Sequence, residues 1–198
     1  MLTAQDRSMK FLALGDSYTI GESVAEDERW PNQLADRLNI PRPKIIATTG
    51  WRTDQLRAAI EADQLSSDYD LVSLLIGVNN QYQGKPAQQY EVEFEGLLKK
   101  AIELAGGHAQ RVFVVSIPDY GFTPFGKAKQ ATITPQLNEF NAINKRIADQ
   151  YHVAYFNITD ISREGLAKPE LVAADGLHPS GKMYRLWVDL IIKDLKIP

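Results

Sequence analysis

The chain has 198 residues, 44% of them apolar and 24% charged, and a net charge of -3. That size and balance suit one domain with its own core, and the slight negative charge, without any Lys/Arg cluster, argues against nucleic-acid binding, which needs a concentrated basic surface. There is no cysteine, which excludes disulfides, thiol catalysis and cysteine-held metals.

Residues 1–9 read as an N-terminal extension of a single domain spanning 1–198. No apolar segment ahead of the first strand would serve as a signal peptide, so the chain as it stands is expected in the cytoplasm. No run approaches the roughly 20 apolar residues of a membrane helix. Residues 10–14 read as a buried strand, and 30–38 as a helix with Pro31 in its first turn. Residues 44–48 form a second strand, ending at Thr49-Gly50-Trp51. A helix follows from Thr53, with Leu56, Ala59 and Ile60 on one face. Residues 71–76 are apolar at nearly every position, as expected of a strand covered on both faces.

A long amphipathic helix spans 86–105, and Gly106-Gly107 stops it. Residues 112–117 are a fourth strand, 135–150 a helix, and 153–157 a short fifth strand. Residues 180–195 close the chain as a helix with Met183, Leu186, Trp187, Leu190 and Ile191 inward. Five strands alternating with helices predict a three-layer α/β/α domain around a parallel sheet. Ligands of such sheets bind beyond the carboxyl ends of the strands. Ser17, Gly50 and Asn79 all fall just past a predicted strand end.

Ser17 follows the first strand in Gly15-Asp16-Ser17-Tyr18. A serine there also serves as an ordinary cap or turn residue. As a nucleophile it needs a base, and the base needs an orienting group. Asp175 and His178 stand three residues apart near the other end of the chain, and Pro179 restricts the histidine's backbone. His108 lies beside Gly107 in a turn and His152 precedes a strand, and both read as surface residues. The three groups run in the order Ser, Asp, His. The G-x-S-x-G elbow of α/β-hydrolases is absent. Asn79, in Gly77-Val78-Asn79-Asn80, could supply a side-chain N–H to a developing oxyanion, beside the backbone N–H groups of Gly50 and Ser17.

Together Gly15-Asp16-Ser17, Gly50, Gly77-x-Asn79 and Asp175-x-x-His178 resemble the four blocks of the SGNH or GDSL hydrolases. The resemblance runs from about residue 10 to residue 180. It implies a flavodoxin-like fold with a five-stranded parallel sheet. It implies Ser17 as nucleophile, His178 as base and Asp175 as its partner, and an oxyanion hole of Ser17, Gly50 and Asn79. Two positions depart from the family pattern. Tyr18 stands where a leucine-like residue is usual, and Asn80 where Asp is frequent, so a neutral amide replaces a carboxylate acceptor.

Residues 118–133 show neither helical nor strand periodicity, and loops this long are often functional. Tyr120, Phe122 and Phe125 from this stretch, with Tyr18, Trp51 and Tyr82, are candidate walls for a small acyl group or a sugar. Arg52 is a candidate contact for an anionic substrate. The expected activity is a serine esterase or acylhydrolase acting on a small or single-chain ester, with no cofactor and no metal. Acetylated sugars, lysophospholipids and acyl thioesters all fall within that class. The competing reading is a flavodoxin-like binding or signalling domain without catalysis. The oligomeric state is not legible from the sequence.

Overall fold

The computed structural model describes residues 8–197. The extension expected over 1–9 therefore lies outside the described residues, except for its last two. Five parallel strands form one sheet: β1 Phe11–Gly15, β2 Lys44–Ala47, β3 Leu71–Leu75, β4 Val112–Val115 and β5 Ala154–Phe156. Their order is β2-β1-β3-β4-β5. β1 pairs on one side with β2, Leu14 opposite Ile46, and on the other with β3, Leu14 opposite Leu74. β1, β3 and β4 are buried at every residue, whereas the edge strands β2 and β5 are partly exposed. That contrast explains why the three inner strands read as unbroken apolar runs.

The helices are α1 Ser17–Ile20, α2 Trp30–Leu38, α3 Thr53–Ala62, α4 Val78–Tyr82, α5 Ala87–Leu104, α6 Gln130–Gln150, α7 Thr159–Ser162 and α8 Gly181–Asp194. The long ones cover both faces of the sheet and bury one stripe each, as the sequence pattern predicts. The result is the three-layer α/β/α, flavodoxin-like arrangement. Its strand order reverses between β1 and β3, so the chain leaves these two strands in opposite directions and opens a crevice beyond their carboxyl ends. Among the described residues, no helix is long and apolar enough to cross a membrane.

Two expectations need correction. α6 begins at Gln130, not at Pro135, which lies inside the helix. Pro135 lies past the first turn of α6, so its missing N–H forfeits the intrahelical bond to the Ala131 carbonyl. The stretch 118–133 is correspondingly shorter as a loop, and it carries two 3-10 turns, Tyr120–Phe122 and Lys127–Lys129. In α8, Leu186 is 40% exposed, and the buried stripe is Met183, Tyr184, Trp187, Val188 and Ile191. Spacings of three and four hold this stripe on one face, and Leu186 falls off it.

Candidate active site

The crevice beyond β1 and β3 holds a cavity of about 190 Å³ lined by Ser17, Tyr18, Thr49, Gly50, Val78, Asn79, Tyr82, Tyr120, Phe125, Leu177 and His178. Ser17 opens α1 directly after β1. It is only 4% exposed and starts a helical turn. Asp16 caps that turn, its Oδ1 accepting the Tyr18 N–H at 3.0 Å. The first-turn amides of a helix have no intrahelical acceptor, so the Ser17 N–H remains available.

Gly50 follows β2 with φ 86°, and a Cβ there would meet no atom within 4 Å. Its glycine is required by backbone conformation and not by crowding. Gly77, after β3, is held on both counts: φ is 130° and a Cβ would lie 2.5 Å from the Tyr90 hydroxyl. This tight exit from β3 starts α4, whose second residue is Asn79. One amide hydrogen of Asn79 is committed to the Trp51 carbonyl, 2.9 Å away. The other hydrogen of the amide is left for a ligand.

Asp175 and His178 lie in a turn between two paired segments. Val172 and Pro179 form an antiparallel bridge, and the Ala173 N–H donates to the His178 carbonyl at 2.8 Å. His178 Nδ1 meets Asp175 Oδ2 at 2.6 Å. With Nδ1 bonded to the carboxylate as donor, Nε2 is the basic nitrogen. The ring is also held edge-on by Tyr18, with centroids 5.7 Å apart. Asp175 Oδ1 accepts the Leu177 and His178 N–H groups, each at 2.9 Å. Burial works against its charge, but the bonds from the His178 ring, Ser23 and these two amides outweigh it and hold the carboxyl well below the usual carboxylate range.

The two acids of the site are opposites. Asp16 is fully buried, and desolvation raises its carboxyl to about 7 against the pull of the Tyr18, Asp16 and Gly77 amides. Its Oδ2 makes no hydrogen bond of good geometry, although the Gly77 amide lies near enough to favour its charge.

The candidate substrate residues divide. Tyr18, Tyr82 and Tyr120 line the cavity, and Phe125 joins them. Tyr82, Tyr120 and Phe125 form an aromatic cluster with centroids 6.2–6.4 Å apart. The Tyr120 hydroxyl is tied to Gln81 at 2.9 Å. Trp51 and Phe122 do not line the cavity. Trp51 packs on the core, and its carbonyl orients Asn79. Phe122 lies under the Arg163 guanidinium, 5.9 Å from its ring centre. Arg52 is engaged by Asp54 through two bonds and by Gln83 through a third. His108 and His152 are exposed.

Sequence reasoning missed how Asn80 is satisfied. Its Oδ1 accepts the Thr53 N–H at 3.1 Å, and its Nδ2 donates to Thr53 Oγ1 at 2.7 Å. Glu93 Oε2 completes the group, 3.4 Å from the same Nδ2 and hydrogen-bonded to Thr53 Oγ1. The carboxylate that a residue-80 Asp would bring thus enters from α5.

The GDSL-like Lipase/Acylhydrolase family model matches residues 13–186. Among solved structures, a lipolytic protein of the G-D-S-L family from Veillonella parvula is similar at 21% identity and TM-score 0.73, over 94% of this chain and 98% of its own. Axe2, an acetylxylan esterase from Geobacillus stearothermophilus, is similar at 17% identity and TM-score 0.72, over 96% and 95%. The psychrotrophic esterase EstA from Pseudoalteromonas, inhibited by monoethylphosphonate, gives 19% and 0.63, over 93% and 94%. No curated protein matches the chain.

Asp16 generates a pH prediction. Its folded carboxyl titrates near 7, whereas an unfolded one titrates near 4. Between those values the unfolded chain binds fewer protons, so stability falls as pH rises through that window. Asp175 acts in the opposite sense and lower, its contribution being lost as pH falls below about 4. Asp16→Asn keeps an acceptor for the Tyr18 amide but cannot ionise. Denaturant unfolding from pH 4 to 8 is expected to show a smaller decline for this variant, by at most about 1.4 kcal/mol per pH unit. Parallel curves for the two proteins would show that Asp16 does not titrate there.

Proposed function

This chain belongs to the GDSL-like lipase/acylhydrolase family, and we propose that it is a serine esterase acting on small carboxylic esters through an acyl-enzyme. The observation that carries the reading is one cavity lined by Ser17, Gly50, Asn79 and His178, with Asp175 behind the histidine at 2.6 Å. These residues come from four separate segments. A binding domain without chemistry gives no reason for a serine, an imidazole–carboxylate pair and two N–H donors to share one crevice.

In this reading Ser17 Oγ attacks the ester carbonyl carbon as His178 Nε2 takes its proton. Asp175 holds the ring through Nδ1 and stabilises the imidazolium. The carbonyl oxygen becomes an alkoxide and meets the N–H groups of Ser17 and Gly50 and the free amide hydrogen of Asn79. Donors fixed in advance stabilise this charge without reorganising as it forms. Collapse of the intermediate breaks the C–O bond, and His178 returns the proton to the leaving alcohol. Water, deprotonated by the same imidazole, then hydrolyses the acyl–Ser17 ester.

Small acyl groups are favoured by the size of the cavity and by its open rim, where Tyr82 is 60% and Phe125 54% exposed. Axe2, similar in fold, is an acetylxylan esterase, which agrees with a short acyl group.

Asn79→Ala is expected to lower kcat by roughly 10²–10³ while KM changes far less, because the amide is aimed at charge that exists only in the transition state. Steady-state kinetics on p-nitrophenyl acetate separate the two effects. A variant that loses only affinity would make Asn79 a substrate-binding group instead.

Chain length tests the substrate class. Each newly buried CH₂ adds about 0.8 kcal/mol of binding, but methylenes beyond a short acyl group here extend past the rim into water. In a p-nitrophenyl series assayed below micelle formation, kcat/KM is expected to peak between acetate and butyrate. A steady climb to decanoate would make the Tyr82, Tyr120 and Phe125 cluster the wall of a long acyl groove.

A further inference from the structure

Ser23 stands in the loop after α1 with φ 66°. Side chains with a Cβ rarely adopt this left-handed backbone, and such strain persists where surrounding contacts over-determine it. The contact on offer is long-range: Ser23 Oγ donates to Asp175 Oδ2 at 2.7 Å. That oxygen is the one His178 Nδ1 meets at 2.6 Å. The other donors to the carboxylate, the amides of Leu177 and His178, belong to its own turn. Among the described residues, Ser23 is therefore the one donor to this acid from another part of the fold.

Its neighbour anchors the same loop on the opposite side. The Glu22 carboxylate accepts the Thr49 hydroxyl, next to Gly50, and the Glu22 N–H donates to the Ser17 carbonyl at 3.0 Å. Residues 22 and 23 thus run as a strap from the turn that carries Ser17 to the Gly50 loop and to the acid.

We propose that Ser23 is a positioning residue for ester hydrolysis, its hydroxyl fixing the orientation of Asp175 and sharing that carboxylate's charge with His178. The inference rests on the reading of Ser17, His178 and Asp175 as nucleophile, base and acid. Two effects follow from removing the hydroxyl. The carboxylate loses its tie to the segment that carries the nucleophile. Its Oδ2 also offers undivided negative charge to the imidazole, which favours the charged ring. The other ionisable groups around this cluster are Glu22, Arg29, Asp16, Asp119, Tyr18, Tyr120 and Tyr184. Burial, the largest cause in each case, holds the three tyrosines above their ordinary range, so they stay neutral. Asp16 titrates near 7 but is common to wild type and variant, so the comparison isolates Ser23.

The test is the pH profile of kcat/KM on p-nitrophenyl acetate for wild type, Ser23→Gly and Ser17→Ala. Glycine suits φ 66° and removes the hydroxyl, so the variant keeps its fold, which thermal unfolding verifies. The expected result is a fall in kcat of about three- to tenfold, the effect of one partly exposed hydrogen bond. KM stays nearly unchanged and the acidic limb moves to higher pH. Ser23→Asn, which tolerates the left-handed backbone and keeps a donor, brings the limb back toward wild type. A folded Ser23→Gly protein whose acidic limb coincides with wild type overturns the inference, whether or not kcat falls, because a purely structural hydroxyl would leave the limb in place. Ser17→Ala separates the two levels. If it is inactive and the Ser23→Gly limb is unmoved, only the role of Ser23 fails. If it retains turnover, the nucleophile reading fails first.

Discussion

The pairing of β1 on both of its edges governs everything else. Its five residues are wholly buried, so every backbone N–H and C=O must find a partner in a neighbouring strand. β2 and β3 supply those partners from opposite sides. The chain must then leave β1 and β3 in opposite directions, which opens the crevice at their carboxyl ends. Ser17, Gly50 and Asn79 follow β1, β2 and β3 at that edge. Short exits keep them there: Asp16 caps the turn at Ser17, and Gly77 adopts a backbone that no other residue would fit against Tyr90.

Beside the crevice, environment divides two chemically identical side chains. Asp16 is fully buried with few donors, so burial favours its neutral form. Asp175 is partly exposed and receives four donors, so its charge persists. In the proposed mechanism, an ionised acid beside the imidazole suits a base that becomes cationic during reaction.

Much of this was legible in the sequence. The inner strands must be apolar on both faces, so residues 71–76 and 112–117 announce themselves, and Ser17, Gly50 and Asn79 fall at predictable strand ends. What was not legible has physical reasons. Pro135 looks like a helix start, but it sits inside a helix that begins at Gln130. Leu186 is apolar yet falls off the stripe that Trp187 and Ile191 define. Phe122 and Phe125 are three positions apart in one aromatic stretch, and only loop geometry sends one to Arg163 and the other to the cavity. Glu93 answers for the missing acid at position 80 from another helix. Ser23 carries no local signal at all, because its partner lies 152 positions away.

Covalent labelling of the nucleophile tests the central claim most directly. A reactive alkyl phosphonate ester is added to the protein, esterase activity is followed, and the adduct is located by peptide mass spectrometry. The account predicts one adduct per chain, on Ser17, formed in step with the loss of activity and absent from Ser17→Ala. An adduct on another residue, or full inactivation with Ser17 unmodified, would contradict it.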